Sequence, residues 1–196
     1  EPNVQSTFLK GLKLARIIEV LEDMPSNEAA DVLSLIPKKR ADAILNSMKE
    51  EKAKKIREIL QYPEESAGSM MYTEFIAVPK NYTAQQTINL LRRLKPVSEK
   101  IYHLYVVDEK MHLLGVLSIR ALLTANPKKI ISKFMRTRIV KVKSNTPKKD
   151  VANALTKYNL FVLPVVDKNN VLKGVVKADK VLEEIMPKSW KRKGLS

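Results

Sequence analysis

The chain has 196 residues, 44% of them hydrophobic, which suffices for one ordinary domain or two small ones with real cores and excludes global disorder. Cysteine is absent, so a disulfide framework, thiol catalysis and thiolate metal sites are excluded. Lys and Arg number 36 against 21 Asp and Glu, and the surplus is local: residues 1–69 carry 11 basic and 12 acidic groups, 70–127 carry 7 and 4, and 128–196 carry 18 and 5. That last third predicts attraction to something anionic, such as a nucleotide, RNA or the inner face of a membrane.

Residues 1–10 lack the basic start and apolar run of a signal peptide, and the chain begins without Met, as a piece of a longer protein would. Residues 7–61 read as four short helices. Leu14, Ile17, Ile18 and Leu21 form one apolar stripe, followed by Ala29, Val32, Leu33 and Ile36, then Ile44, Leu45 and Met48, then Ile56, Ile59 and Leu60. Pro25-Ser26 offers a cap before the second helix, Pro37 suits the start of the third, and Tyr62-Pro63 ends the fourth. The longest relevant apolar run, residues 160–166, has strand length and falls far below the roughly 18 to 20 residues that span a bilayer.

After Gly68 the pattern turns strand-like and repeats. Leu104-Tyr105-Val106-Val107-Asp108 returns as Leu163-Pro164-Val165-Val166-Asp167 at an offset of 59, and Gly115 returns as Gly174 at the same offset. Each copy reads strand, helix, strand, Asp-led turn, strand, helix, with extra residues around 96–100 in the first. Thr83 with Gln86 predicts a capping box, and Thr146-Pro147 predicts a cap for the corresponding helix. Residues 101–107 and 160–166 have the β-branched and aromatic content of buried strands. Gly115 and Gly174 mark places where a helix or ligand is expected to come too close for a side chain. One copy cannot bury both faces of a small sheet, whereas two packed together can.

These two copies resemble a pair of CBS domains. More closely, Tyr62-Pro63-Glu64-Glu65-Ser66-Ala67-Gly68-Ser69-Met70-Met71, Ile101-Tyr102-His103-Leu104-Tyr105-Val106-Val107-Asp108 and Gly115-Val116-Leu117-Ser118-Ile119-Arg120 resemble the cytosolic region of MgtE-type magnesium transporters. Glu28-Ala29-Ala30-Asp31-Val32-Leu33 fits that family's helical domain. The resemblance implies an α+β regulatory protein: a short N-terminal helical bundle over residues 1–64, CBS domains over 65–127 and 128–188, and a basic tail over 189–196. It further implies a cytoplasmic location, a homodimer formed through the CBS domains, and a transmembrane pore domain or the inner membrane surface as partner, with no pore in this chain. An enzyme is the class least supported, since no phosphate-binding glycine loop or nucleophile elbow is present.

In such a region magnesium binds between acidic surfaces. Magnesium keeps several waters and is held through one or two carboxylates. The candidate ligands are Asp23, Glu28 and Asp31 on the helices, Glu65 at the junction, and Asp179 and Glu183 on the last helix. Lys149, Asn159 and Lys180 stand where the family is acidic, so a lysine face opposite carboxylates predicts direct charge pairing with no ion required. For an adenine nucleotide, the resemblance nominates Ser118, Arg120 and Lys177, yet Ala121 and Lys180 replace the acids that would hold the ribose. Ser118 as a simple helix cap is the competing reading. His103 and His112 lack a third ligand at useful spacing. Residues 128–149 and Trp190, among Lys188, Lys191, Arg192 and Lys193, suit a solvated basic face or an anionic inner leaflet, and fit nucleic acid least because the aromatics are isolated. The remaining alternative is a nucleotide-responsive or structural CBS scaffold unrelated to magnesium.

Overall fold

The computed structural model describes residues 14–95 and 103–185, with side chains described to 183. The basic tail, Trp190, the 96–100 segment, residues 7–13 and the Glu184 side chain lie outside the described residues.

Four helices open the described chain: α1 (Leu14–Asp23), α2 (Ser26–Ser34), α3 (Lys38–Ser47) and α4 (Glu50–Leu60). The apolar stripes seen in the sequence bury Ile17, Leu21, Ala29, Leu33, Ile44, Leu45, Ile56 and Ile59. Leu14 and Leu60, at the ends of their stripes, stay exposed. Pro25 and Pro37 occupy the capping positions themselves, with extended backbone that starts each helix but no side-chain cap.

A short helix α5 (Ala67–Met70) then leads into the repeats. The first comprises β1 (Ala77–Pro79), α6 (Ala84–Leu94), β2 (Leu104–Val107), β3 (Leu113–Leu117) and α7 (Ile119–Thr124). After a single 3-10 turn, Ile131–Lys133, the second comprises β4 (Val142–Lys143), α8 (Lys148–Lys157), β5 (Val162–Val166), β6 (Leu172–Lys177) and α9 (Ala178–Ile185). Both sheets have the order first, second, third strand, parallel then antiparallel, with a register irregularity before Val107 in one and before Val166 in the other. The Asp-led turns are equivalent too. Asp108 Oδ1 accepts the backbone N–H groups of Lys110 and His112, and Asp167 Oδ1 those of Asn169 and Val171. Met111 and Asn170, at φ 63° and 66°, take the same left-handed position.

The predicted capping box of Thr83 and Gln86 forms as expected. Its counterpart does not: the Thr146 hydroxyl accepts from Lys143 N at 3.0 Å, and Pro147 takes the capping position of α8 without a side-chain cap. The turn back to β4 captures the hydroxyl that the helix end would have used.

Three cores result. One lies inside the first repeat around Val78, Leu104, Val106 and Leu122, and a second lies between the sheets, joining Tyr105, Val107 and Leu113 to Val162, Val166 and Leu172. The third is continuous from the N-terminal helices into the second repeat, joining Ile17, Leu33, Ile44 and Ile56 to Val151, Leu163, Val176 and Val181. The helical domain thus shares its core with the second repeat. That asymmetry places the site.

Candidate functional site at the seam between helical domain and second repeat

Along this seam, carboxylates of the helical side meet lysines of the second repeat. Asp31 on α2 pairs with Lys180 on α9 at 3.0 Å, Glu65 in the α4–α5 junction with Lys148 at the start of α8 at 3.3 Å, and Glu58 on α4 with Lys173 on β6 at 2.7 Å. The Lys180 and Lys148 side chains are only 10% and 13% exposed, while Asp31 is 53% exposed. The cations are therefore the desolvated partners, and each needs a carboxylate more than the carboxylate needs it. The hydrogen bond to Glu58 holds the Lys173 ammonium above its ordinary value despite partial burial. A cavity of about 350 Å³ opens beside the pairs, lined in part by Asp31, Ser34, Tyr62, Glu65, Lys148 and Lys180.

Residues 71–74 form the strap that ties the two sides together. Tyr72 N donates to Val175 O at 2.8 Å and Val175 N to Tyr72 O at 2.9 Å, so the strap adds to β6 as a short antiparallel bridge. The approach leaves no room at Gly174, where a Cβ would lie 2.6 Å from Tyr72 O and 2.8 Å from Met71 Sδ. Two residues on, the Glu74 carboxylate accepts from Ser26 Oγ at 2.7 Å and from Ser26 N at 3.4 Å, capping α2 from a distant part of the chain, with Lys52 Nζ 3.9 Å away. Burial pushes the Glu74 carboxyl up, but the hydrogen bond from Ser26 and the charge of Lys52 prevail and hold it below the ordinary value.

The Tyr72 ring and hydroxyl face different groups. Lys177, 8% exposed, places Nζ 3.9 Å from the ring centroid, a cation–π contact. Burial raises the phenol above its ordinary value; Asn27 acts against this, Glu28 and Asp179 add to it, and Lys180 opposes them. The phenol thus feels a carboxylate from each side of the seam, Glu28 on α2 and Asp179 on α9. Asn27 is fully buried, and its amide, near enough to the phenol to hold it down, has no hydrogen bond of good geometry at either Oδ1 or Nδ2. A buried amide in that condition costs on the order of 1 to 3 kcal/mol.

Of the six carboxylates expected to hold metal, Asp31 pairs with Lys180, one of the lysines expected to face the acids, and Glu65 pairs with Lys148 rather than with the expected Lys149. Glu28 and Asp179 share the Tyr72 environment. Asp23 is exposed at the end of α1, and Glu183 is exposed on α9, one turn beyond Asp179. Among the described residues no group of three or more acidic, His or Cys side chains is arranged to hold a metal ion. Of the nucleotide candidates, Ser118 Oγ accepts from Ala121 N at 3.1 Å and caps α7, and Arg120 is exposed. Lys177 lies buried against Tyr72. His103 is half-buried, with burial and Arg136 lowering its imidazole; His112 Nδ1 lies 2.8 Å from Asp108 Oδ2. Sequence reading did not single out Asn27, Glu58, Tyr72, Glu74, Lys148 or Lys173. Tyr72 and Glu74 follow the matched Ser69-Met70-Met71 run directly, and that adjacency was the one available signal.

Two mixed three-stranded modules packed sheet to sheet, each closed by an Asp-led turn and a glycine-bearing strand, make a CBS pair, and the CBS domain model matches residues 67–128 and 131–187. The MgtE intracellular N domain model matches residues 1–65. With both parts in this order, the chain belongs to the MgtE family. It is 39% identical over 128 residues to the magnesium transporter MgtE of Thermus thermophilus, covering 65% of this chain and 28% of that protein. It is 29% identical over 186 residues to the MgtE of Bacillus subtilis, covering 95% of this chain and 41% of that protein. The chain therefore spans less than half the length of these relatives. Among solved structures, the cytosolic domain of the Mg2+ channel MgtE in complex with ATP superimposes with a TM-score of 0.88 at 34% identity, covering 94% of this chain and 76% of that one. The soluble part of a magnesium transporter gives 0.86 at 29% identity, covering 92% and 71%. Among the described residues no helix is long and apolar enough to cross a membrane.

Proposed function

We propose that this chain is the magnesium-responsive regulatory region of an MgtE-type transporter, in which docking of the helical domain on the second CBS domain is the regulated event. The observation that carries the proposal is the seam itself: one continuous apolar core crossed by facing charges from the two domains. The three lysine–carboxylate pairs favour the docked arrangement without an ion. Magnesium adds to them at Glu28 and Asp179, the carboxylates on the two sides of the seam whose charges both reach the Tyr72 phenol, with the buried Asn27 Oδ1 as a neutral oxygen donor. Two carboxylates with a neutral oxygen and water suit magnesium's preference for a partly hydrated shell. The ion shifts the docked population by its difference in affinity for the two arrangements and no more. In a full-length relative, that shift would reach a membrane pore domain, and a second copy would join through the CBS helices. Regulation rather than catalysis is the expected role, at the inner face of the membrane.

The test is a calorimetric magnesium titration of the chain at constant ionic strength. Saturable heat that disappears in Glu28→Ala and in Asp179→Ala, and persists in Glu183→Ala, supports the reading. Heat that survives both removals overturns the site.

A second reading, an adenine nucleotide in the CBS pair, draws support from the ATP complex of the similar cytosolic domain. The residues present do not fit the ribose: Ala121 and Lys180 offer no carboxylate, Ser118 is occupied as a cap, and Lys177 is spent on Tyr72. Arg120 alone remains exposed to meet a phosphate.

A further inference from the structure

The basic surplus has a location in the fold. No acidic residue stands between Glu109 and Asp150, and the forty positions between them carry eleven Lys and Arg. A merely lysine-rich composition would raise charge throughout, yet residues 1–69 are balanced at 11 basic and 12 acidic groups. Eleven of the net fifteen positive charges fall in that stretch, six of them on residues 128–141.

That segment is pinned to the outside of the first CBS domain by its backbone. Gln85 N donates to Pro127 O at 3.0 Å, Ala84 N to Lys129 O at 2.9 Å, Ile131 N to Tyr82 O at 2.8 Å and Ser132 N to Lys80 O at 3.1 Å. Arg136 and Val116 then exchange both of their backbone hydrogen bonds at 2.9 Å. The side chains of Lys128, Lys129, Lys133, Arg136, Arg138 and Lys141 stand exposed along it. Among the described residues none of these six forms an ion pair with a carboxylate, in contrast to Lys148, Lys173 and Lys180 at the seam. The nearby aromatic ring, Phe134, packs partly buried on the core beneath Lys129 and presents no platform for bases.

We propose that residues 128–141 form an electrostatic docking surface for anionic phospholipid headgroups. The chemistry fits a sheet of phosphates: a row of exposed cations on a backbone held to the first CBS domain, with no α-helix over residues 128–141 to enter a groove and no exposed ring there to stack on a base. The choice of a bilayer rests on membership of a transporter family, while the surface itself stands apart from magnesium binding, so the two can fail separately. Each cation brought to an anionic leaflet strengthens binding by roughly fivefold.

The experiment is co-sedimentation of the full chain with phosphatidylglycerol-rich vesicles and with pure phosphatidylcholine vesicles at low salt. Binding to the first and not the second is expected, weakening as salt rises. The variant carrying Lys133→Glu, Arg136→Glu and Arg138→Glu should bind roughly 100-fold more weakly. A control carrying Lys38→Glu, Lys39→Glu and Lys54→Glu, with equal net charge but changes on the helical domain, should bind as the unaltered chain does. Equal loss in both variants, or equal binding to neutral vesicles, overturns the proposal. So does displacement by inorganic phosphate at matched phosphate concentration, which would mark a small-anion site. Tighter binding to an RNA duplex than to vesicles, lost in the same variant, would assign the surface to nucleic acid instead. All variants should melt as the parent does, since the altered side chains are exposed.

Discussion

Removing Asp31 should destabilise docking more than removing the lysine it faces. The pair spans 3.0 Å, with Lys180 10% exposed and Asp31 53% exposed. A fully exposed pair contributes about 0.2 to 1 kcal/mol, and a desolvated charge-assisted hydrogen bond about 1.5 to 3. Half-exposure of one partner places the coupling near 1 kcal/mol. Asp31→Ala leaves an ammonium that stays largely out of water, for a total cost of about 1 to 2 kcal/mol. Lys180→Met keeps the apolar stem and leaves Asp31 free to hydrate, for about 0.5 kcal/mol. For a chain of this size, 1 kcal/mol corresponds to roughly 2 to 4 °C in Tm. The assay is a double-mutant cycle by thermal unfolding in the absence of divalent ions, with the seam transition followed separately if the two domains unfold in steps. A coupling within about 0.3 kcal/mol of zero, or a costlier lysine removal, would refute the argument that buried lysines hold the seam.

Gly174→Ala should lower Tm and separate the strap from β6, because the added Cβ meets backbone at Tyr72 O, 2.6 Å away. Gly115→Ala should cost less, since the atoms it meets most closely are Met135 Sδ and Cγ, which can swing aside; equal effects would contradict this. Asn27→Leu should raise Tm by about 2 to 4 °C, by removing a poorly paired buried amide, and should at the same time weaken the magnesium response. A destabilised variant with intact magnesium binding would contradict both halves. Stability should also fall at both ends of the pH range. The Glu74 carboxyl is held below 4.5, so its contribution is present above that value and is lost as pH falls through the folded value. Lys173 is held above 10.5, so its contribution is present below that value and is lost as pH rises through the folded one. Glu74→Gln should flatten the acid limb and Lys173→Met the alkaline limb of a Tm–pH profile.

Much of the architecture was legible because local chemistry repeats at fixed spacing. The Asp108 and Asp167 turns, the glycines at 115 and 174 and the capping box at Thr83 each carry a mechanism that one sequence can display. The charge pairing of Asp31 with Lys180 was legible too, since that lysine stood where an acid was expected, whereas Lys148 as the partner of Glu65 was not. What was not legible depends on contacts distant in sequence. Nothing near Ser26 announces that Glu74, 48 residues on, will cap its helix. Nothing near Thr146 announces that Lys143 N will take its hydroxyl. The helical domain sharing its core with the second repeat rather than the first is likewise a tertiary outcome, because stripes such as Ile17 and Leu33 state only that a face must be buried. Asn27 is harder still: an amide at a helix start reads as capping material, and its burial beside Tyr72 without a well-formed hydrogen bond emerges only once α2 is packed.

The central claim, that magnesium biases docking of the helical domain on the second CBS domain, is best tested by a distance. The absence of cysteine allows a spin-label pair to be introduced cleanly with Lys39→Cys on α3 and Lys157→Cys on α8, both exposed. Pulsed dipolar spectroscopy across a magnesium titration should show one short, narrow distance growing at the expense of a broader one, with the change abolished in Glu28→Ala. A distribution unmoved by magnesium at every concentration would contradict the claim and leave the lysine pairs as a fixed clamp.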